Sequence, residues 1–236
     1  MLILALDSSA VVASVALCDG ERLLAEYTLN NGNTHSETLL PMVECLFHHF
    51  GVAARDIDLF AVSSGPGSFT GVRIGAATLK GLAFASEKPC IGVSTLEALA
   101  ENLVSIPGLI CPVMNARRSQ VYTALFRSDG TTLTRLMEDS ALSIQELDEL
   151  LSAYGEEVLF CGDGYDVTVP AIEKTCTRPL PYRLRLQSAY SVAQVALRRY
   201  EKGDFVSDQE LTVTYLRPSQ AERTYKEQHP EEAKSL

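Results

Sequence analysis

Residues 63–75 read SSGPGSFTGVRIG and follow directly on the apolar run Leu59-Phe60-Ala61-Val62. A glycine- and serine-rich loop between a strand and a helix has the look of a phosphate cradle. The glycines stand at 65, 67, 71 and 75 with no lysine close behind. Neither G-x-x-x-x-G-K-[ST] nor G-x-G-x-x-G therefore fits. Gly65-Pro66-Gly67 makes a tight turn, and Ser68 is placed to cap a helix beginning at Phe69. Gly71 and Gly75 then lie inside that helix, followed by Ala76, Ala77, Gly81, Ala83 and Ala85. Each helical glycine costs roughly 1 kcal/mol relative to alanine, so a packing reason is expected. The first N–H groups of the helix still offer an anion site. Packing turn is the favoured reading, and phosphate loop stays open beside it.

Outward from this loop the chain reads as α/β. Apolar runs at 1–6, 11–17 and 22–29 read as strands, the last two joined by an Asp19-Gly20 hairpin turn. Thr34 and Glu37 have capping-box spacing ahead of a helix that runs to about Phe50, with a kink expected at Pro41. Strand 59–63, helix 69–86, strand 90–93 and a helix capped by Ser94-Thr95 complete a first half. After Pro107-Gly108 the order starts again, with strands at 109–114 and 121–126 and an Asp129-Gly130 turn. A helix capped by Ser143, strand 158–161 and the loop Gly162-Asp163-Gly164 follow. Two similar α/β halves, 1–107 and 108–221, are expected. Residues 222–236 have almost no apolar content and read as a frayed tail.

Composition narrows the function. The 236 residues are 46% hydrophobic and carry 20 Lys plus Arg against 30 Asp plus Glu, a net charge of −10. Such a chain repels phosphate backbones, so any contact with tRNA is expected to run through a complex. Six scattered cysteines, at 18, 45, 90, 111, 161 and 176, show no zinc spacing. The N-terminus shows no leader pattern and no apolar run spans a bilayer, so a cytoplasmic protein is expected.

The candidate chemistry is thin. Asp7-Ser8-Ser9 at the end of the first strand could organise a metal or water near a phosphate, or simply cap a turn. His35 has Leu39, not histidine, one helical turn on, so no metal pair is expected. Arg117-Arg118 could grip an anion or form a solvated turn. The helix at 35–50 says more. Its apolar residues Leu39, Leu40, Met42, Val43, Leu46, Phe47 and Phe50 occupy more than one face. A second covering surface is implied, either a partner helix or the C-terminal half of the chain. With the small-residue helix, this gives an expected interface of Leu39, Leu40, Val43, Leu46, Phe47, Phe50, Val72, Gly75, Ala76 and Leu79.

LALDSS, THSETLLP, SSGPGSFTGVRIG, NARRSQVY and YLRPSQAE, in this order, closely resemble the TsaB (YeaZ) family over almost the whole chain. The resemblance implies a two-lobed actin-like, Hsp70-like ATPase (ASKHA) fold with a reduced second lobe. It implies a non-catalytic partner of TsaD, the transferase that forms N6-threonylcarbamoyladenosine at position 37 of tRNAs reading codons that begin with adenine. TsaE would join the assembly, and the chain alone would form a homodimer. No cofactor, metal or catalytic residue is expected, since TsaD-like members carry a histidine pair where this chain has His35 and Leu39. Asn115 departs from the aspartate of the family pattern. The alternative is an ATP-binding or ATP-hydrolysing enzyme using Asp7, the 65–75 loop and the 162–164 loop. A peptidase-like activity finds no nucleophile and base.

Overall fold

The computed structural model describes residues 1–217, so the expected tail at 222–236 lies outside the described residues. β1 (Leu2–Asp7), β2 (Ala13–Asp19) and β3 (Arg22–Leu29) form an antiparallel meander. β4 (Leu59–Gly65) and β5 (Cys90–Ser94) join parallel to β1 on its other side, giving the order β3-β2-β1-β4-β5. α1 (His35–Phe50) and α2 (Phe69–Phe84) make the crossovers. After α3 (Thr95–Glu101) the pattern repeats with β6 (Gly108–Asn115), β7 (Gln120–Ser128), β8 (Leu133–Ser143), α4 (Ile144–Ser152) and β9 (Val158–Cys161). α5 (Tyr165–Thr168) and β10 (Thr177–Arg178) close it, and the second sheet runs β8-β7-β6-β9-β10 with the same strand directions. Its closing elements are short: helix α5 has 4 residues and edge strand β10 has 2.

Both faces of both sheets are covered, as mixed sheets with continuous apolar strands require. Leu4 and Leu6 point to a core with Leu39, Val43, Leu46 and Leu79 of α1 and α2. Their neighbours Ile3 and Ala5 point the other way, to Ala189, Val192, Ala193 and Ala196 of α6 (Ala189–Tyr200). Each such fully buried leucine or isoleucine contributes about 1.5–3 kcal/mol. The covering helices are exchanged between halves. α3 supplies Leu96, Leu99 and Ala100 to the second sheet, while α6 returns to the first. Where they cross, Arg198 grips Glu101 at 2.8 and 2.6 Å, and Ser191 Oγ donates to Asn102 at 2.6 Å.

Pro41 sits inside α1, which runs on to Phe50 as expected, and the capping expected at Thr34 needs correction. Both Pro41 and Glu37 are exposed, so the carbonyl deprived of its donor faces water. Thr34 precedes α1 but its side chain makes no cap, because its hydroxyl accepts from Ser36 Oγ at 3.2 Å. A full capping box forms instead at Ser143 and Glu146 ahead of α4.

Candidate functional site

The glycine loop is packed against the turn after β1. A Cβ on Gly67 would run into the Ser9 carbonyl, one on Gly71 into the Ser8 carbonyl, and one on Gly75 would meet Ser8 Oγ at 2.5 Å. The loop's polar groups are bonded inward as well. Ser68 N–H donates to Ser9 O at 2.6 Å, Gly71 N–H to Ser68 Oγ at 3.2 Å, and Ser8 Oγ to Gly71 O at 2.9 Å. Two of the donors that a phosphate would recruit, Ser68 N–H and Gly71 N–H, are already in use. The second half repeats the device, since a Cβ on Gly162 or Gly164 would strike the backbone of Val113 and Met114. Close backbone approach accounts for these glycines.

Asp7 is 1% exposed and accepts from Ser9 N–H at 2.9 Å, Ser9 Oγ at 2.7 Å and Ser63 Oγ at 2.5 Å. Burial pushes its pKa up, against the hydrogen bonds from Ser63 and Ser9. His35 Nε2 lies 2.6 Å from Ala10 O, while its buried Nδ1 has no partner. Leu39, one turn on, is buried among Leu4, Leu6 and Val62. No group of three or more His, Cys, Asp or Glu suited to a metal occurs among the described residues.

Between the sheets opens a cleft of about 580 Å³ whose walls include Ser9, Gly67, Asn115, Arg117, Asp163 and Tyr215. Asp163 is pushed up to about 6, first by the surrounding protein and then by the charge of Asp7, although its side chain still reaches solvent. The fold thus gathers the Asp-Ser-Ser turn, the glycine loop and the 162–164 loop around one opening. Asn115 accepts from Arg117 N–H at 2.8 Å through Oδ1, a bond that an aspartate would also make. Tyr215 was not evident as a site residue from sequence. It stacks on Phe69 at 4.3 Å and receives a 2.7 Å hydrogen bond from Arg73 Nε, strapping the C-terminal segment across α2. Only its place in the YLR motif singled it out.

The expected interface residues divide sharply by exposure. Leu39, Val43, Leu46, Val72 and Leu79 are at most 1% exposed and Ala76 is 7% exposed. Gly75 is buried against Ser8. These seven are covered within the chain and cannot meet a partner in this conformation. Part of the second cover inferred for α1 is internal: Leu24, Tyr27 and Leu29 of β3 and Val52 pack on the same core, as does Phe47. Leu40 and Phe50 remain 44% and 40% exposed, and Phe84 at the end of α2 is 68% exposed. Ala77 and Gly81 lie open on α2, with nothing within 4 Å of a Cβ at Gly81. The accessible small-residue stripe is therefore Ala77–Gly81, one helical face away from Gly75 and Ala76.

No helix among the described residues is long and apolar enough to cross a membrane. The family model described as TsaD, tRNA N6-adenosine threonylcarbamoyltransferase, matches residues 22–219. The tRNA threonylcarbamoyladenosine biosynthesis protein TsaB of Bacillus subtilis (strain 168) is 37% identical over 69% of this chain and 71% of its own. The protein of the same name from Escherichia coli (strain K12) is 30% identical over 92% of this chain and 95% of its own. Among solved structures, YeaZ from Pseudomonas aeruginosa superposes with a TM-score of 0.78 at 28% identity, covering 91% of this chain and 99% of that one. An activator of 2-hydroxyisocaproyl-CoA dehydratase from Clostridium difficile, at TM-score 0.50 and 13% identity over 91% of this chain and 100% of that one, shares the fold. The two-sheet fold is thus of the actin-like ATPase kind, and the chain belongs to the TsaB (YeaZ) family of tRNA threonylcarbamoyladenosine biosynthesis proteins, within the wider family matched by the TsaD model.

Proposed function

We propose that this chain is a non-catalytic partner and activator of a TsaD-type threonylcarbamoyltransferase acting at position 37 of tRNAs that read codons beginning with adenine. The observation that carries this reading is the outer face of α1 and α2. Leu40 and Phe50 of α1 and Phe84 of α2 are exposed, and Gly81 of α2 is open. A mid-helix glycine with no neighbour forgoes about 1 kcal/mol without an intramolecular return, which suits the close approach of another helix. The same face would pair with itself about a two-fold axis when no transferase is present. TsaE joins the assembly, tRNA is held mainly through the other subunits, and the work is done in the cytoplasm. Residues 1–107 and 108–221 serve as the two lobes, although α3 and α6 cover each other's sheets.

An ATP-using enzyme of the same fold is the second reading. Ser9, Arg117 and Asp163 around one cleft favour it. The filled hydrogen bonds of Asp7, Ser68 and Gly71 weigh against it. Reconstitution separates the two. With TsaD, TsaE, threonylcarbamoyl-adenylate and tRNA, modification should require this chain, and the chain alone should neither hydrolyse ATP nor modify tRNA. ATP turnover by the pure chain that disappears in Asp7→Ala would make it an enzyme.

A further inference from the structure

We propose that the Arg117–Arg118 turn is a phosphate-gripping tip that takes the backbone of a single-stranded RNA segment. The choice of RNA rests on the tRNA-modification reading above, whereas the anion chemistry stands on the turn itself. Arg117, Arg118 and Ser119 have φ of +63°, +55° and +56°, three consecutive non-glycine residues in the left-handed region. Each such residue is disfavoured by its Cβ, and a run of them persists only where its surroundings over-determine it. The bracing is visible. Asn115 Oδ1 accepts from Arg117 N–H at 2.8 Å, Ala116 N–H donates to Gln120 O at 3.0 Å, Gln120 N–H to Arg117 O at 3.2 Å, and Ile144 N–H to Ser119 O at 3.2 Å. Two exposed arginines are thus launched from a fixed platform.

Their guanidinium groups are unspent. Among the described residues neither takes part in an ion pair, although the chain carries 30 Asp and Glu, whereas Arg127, Arg135, Arg198 and Arg199 each hold a carboxylate. The turn forms a ridge between the cleft of about 580 Å³ and a second depression of about 680 Å³, and Arg117 lines both. Arg118 and Lys174 line the second. Arg217 lines the first and donates to Gln120 at the foot of the turn. Opposing charge comes from Asp163 on one side and Glu173 on the other, while Asp148 is occupied by the N–H groups of Glu173, Lys174 and Thr175. Phe69, Tyr122 and Tyr215 line the first depression beside the cations, with Phe69 and Tyr215 stacked on each other. A guanidinium fork matches phosphate oxygens in pairs, and cations interleaved with aromatic faces suit unpaired nucleotides, whose bases stack. An acidic peptide would meet the arginines but leave the aromatic wall unused. With a net charge of −10, the isolated chain binds such a segment only weakly.

The test is fluorescence anisotropy of the full chain with a labelled single-stranded oligoribonucleotide, begun at low salt and titrated upward. Arg117→Ala/Arg118→Ala should weaken binding several-fold. It should also flatten the plot of log affinity against log salt by about 1.4, since each lost single-strand phosphate contact removes about 0.7. The charge-matched control Arg22→Ala/Arg178→Ala should change neither. Absence of binding by the unaltered chain, an unchanged slope in the double variant, or an equal loss in the control overturns the proposal. Polyglutamate competing as well as RNA overturns the choice of RNA. Pairing with the transferase is read separately by native mass: its absence in the unaltered chain defeats the functional reading, while the anisotropy result still decides the phosphate tip.

Discussion

Two glycines of α2 show how one residue type serves opposite ends. Gly71 is there because the Ser8 carbonyl and the His35 ring leave no room for a methyl group. Gly81 has all the room it needs. Gly71→Ala must push backbone against backbone, which no rotamer can relieve, and should destabilise the chain by about 1–3 kcal/mol. Gly81→Ala removes a helix penalty and should stabilise the isolated chain by about 1 kcal/mol. Urea unfolding of the two variants checks both signs, and a destabilised Gly81→Ala would show that the outer face of α2 is not free. The same contrast answers what the 63–75 loop is for. Its glycines let the loop seat on the turn after β1, and Ser68 N–H and Gly71 O are bonded to that turn.

At the scale of elements, the sequence was legible where period and punctuation agreed. Strands 1–6, 22–29 and 158–161 and the helices beginning at Phe69 and after Ser143 appear within a residue or two of where they were expected. β8 and α6 were not read. β8 is an edge strand with a mixed burial pattern, paired with β7 through register shifts near Leu125, so its alternation is broken. α6 does carry helical spacing, burying Ala189, Val192, Ala193 and Ala196 at i, i+3, i+4 and i+7, so its signal lay in the sequence in small side chains. Seven of the ten expected interface residues are buried within the chain. Periodicity says that Val43 and Leu46 are covered, but not whether the cover belongs to the chain or to a partner. Here it is the first sheet. Val43→Glu should therefore place a charge in the core and unfold the protein, rather than give a folded monomer. Circular dichroism decides: native signal and cooperative melting in that variant would mean the α1 core is looser than its burial implies.

For the whole molecule, the repeat dominates. Two sheets of one order, each closed by a helix from the other half, make a body whose halves cannot be separated without exposing Ala189–Tyr200 and Thr95–Glu101. Beside the cleft between the sheets, Asp7 and part of the glycine loop are satisfied by the chain itself. Leu40, Phe50 and Phe84 of α1 and α2 are among the apolar side chains left uncovered. That contrast, an internally bonded Asp7 turn and exposed apolar side chains on α1 and α2, underlies the proposal of a partner role. Native mass measurement of the chain with TsaD, comparing the unaltered protein with Leu40→Glu and Gly81→Trp, tests it most directly. The account predicts a homodimer alone and a heterodimer with TsaD for the unaltered chain, and folded monomers that capture no TsaD for both variants. Folded variants that still dimerise and still bind TsaD would contradict it.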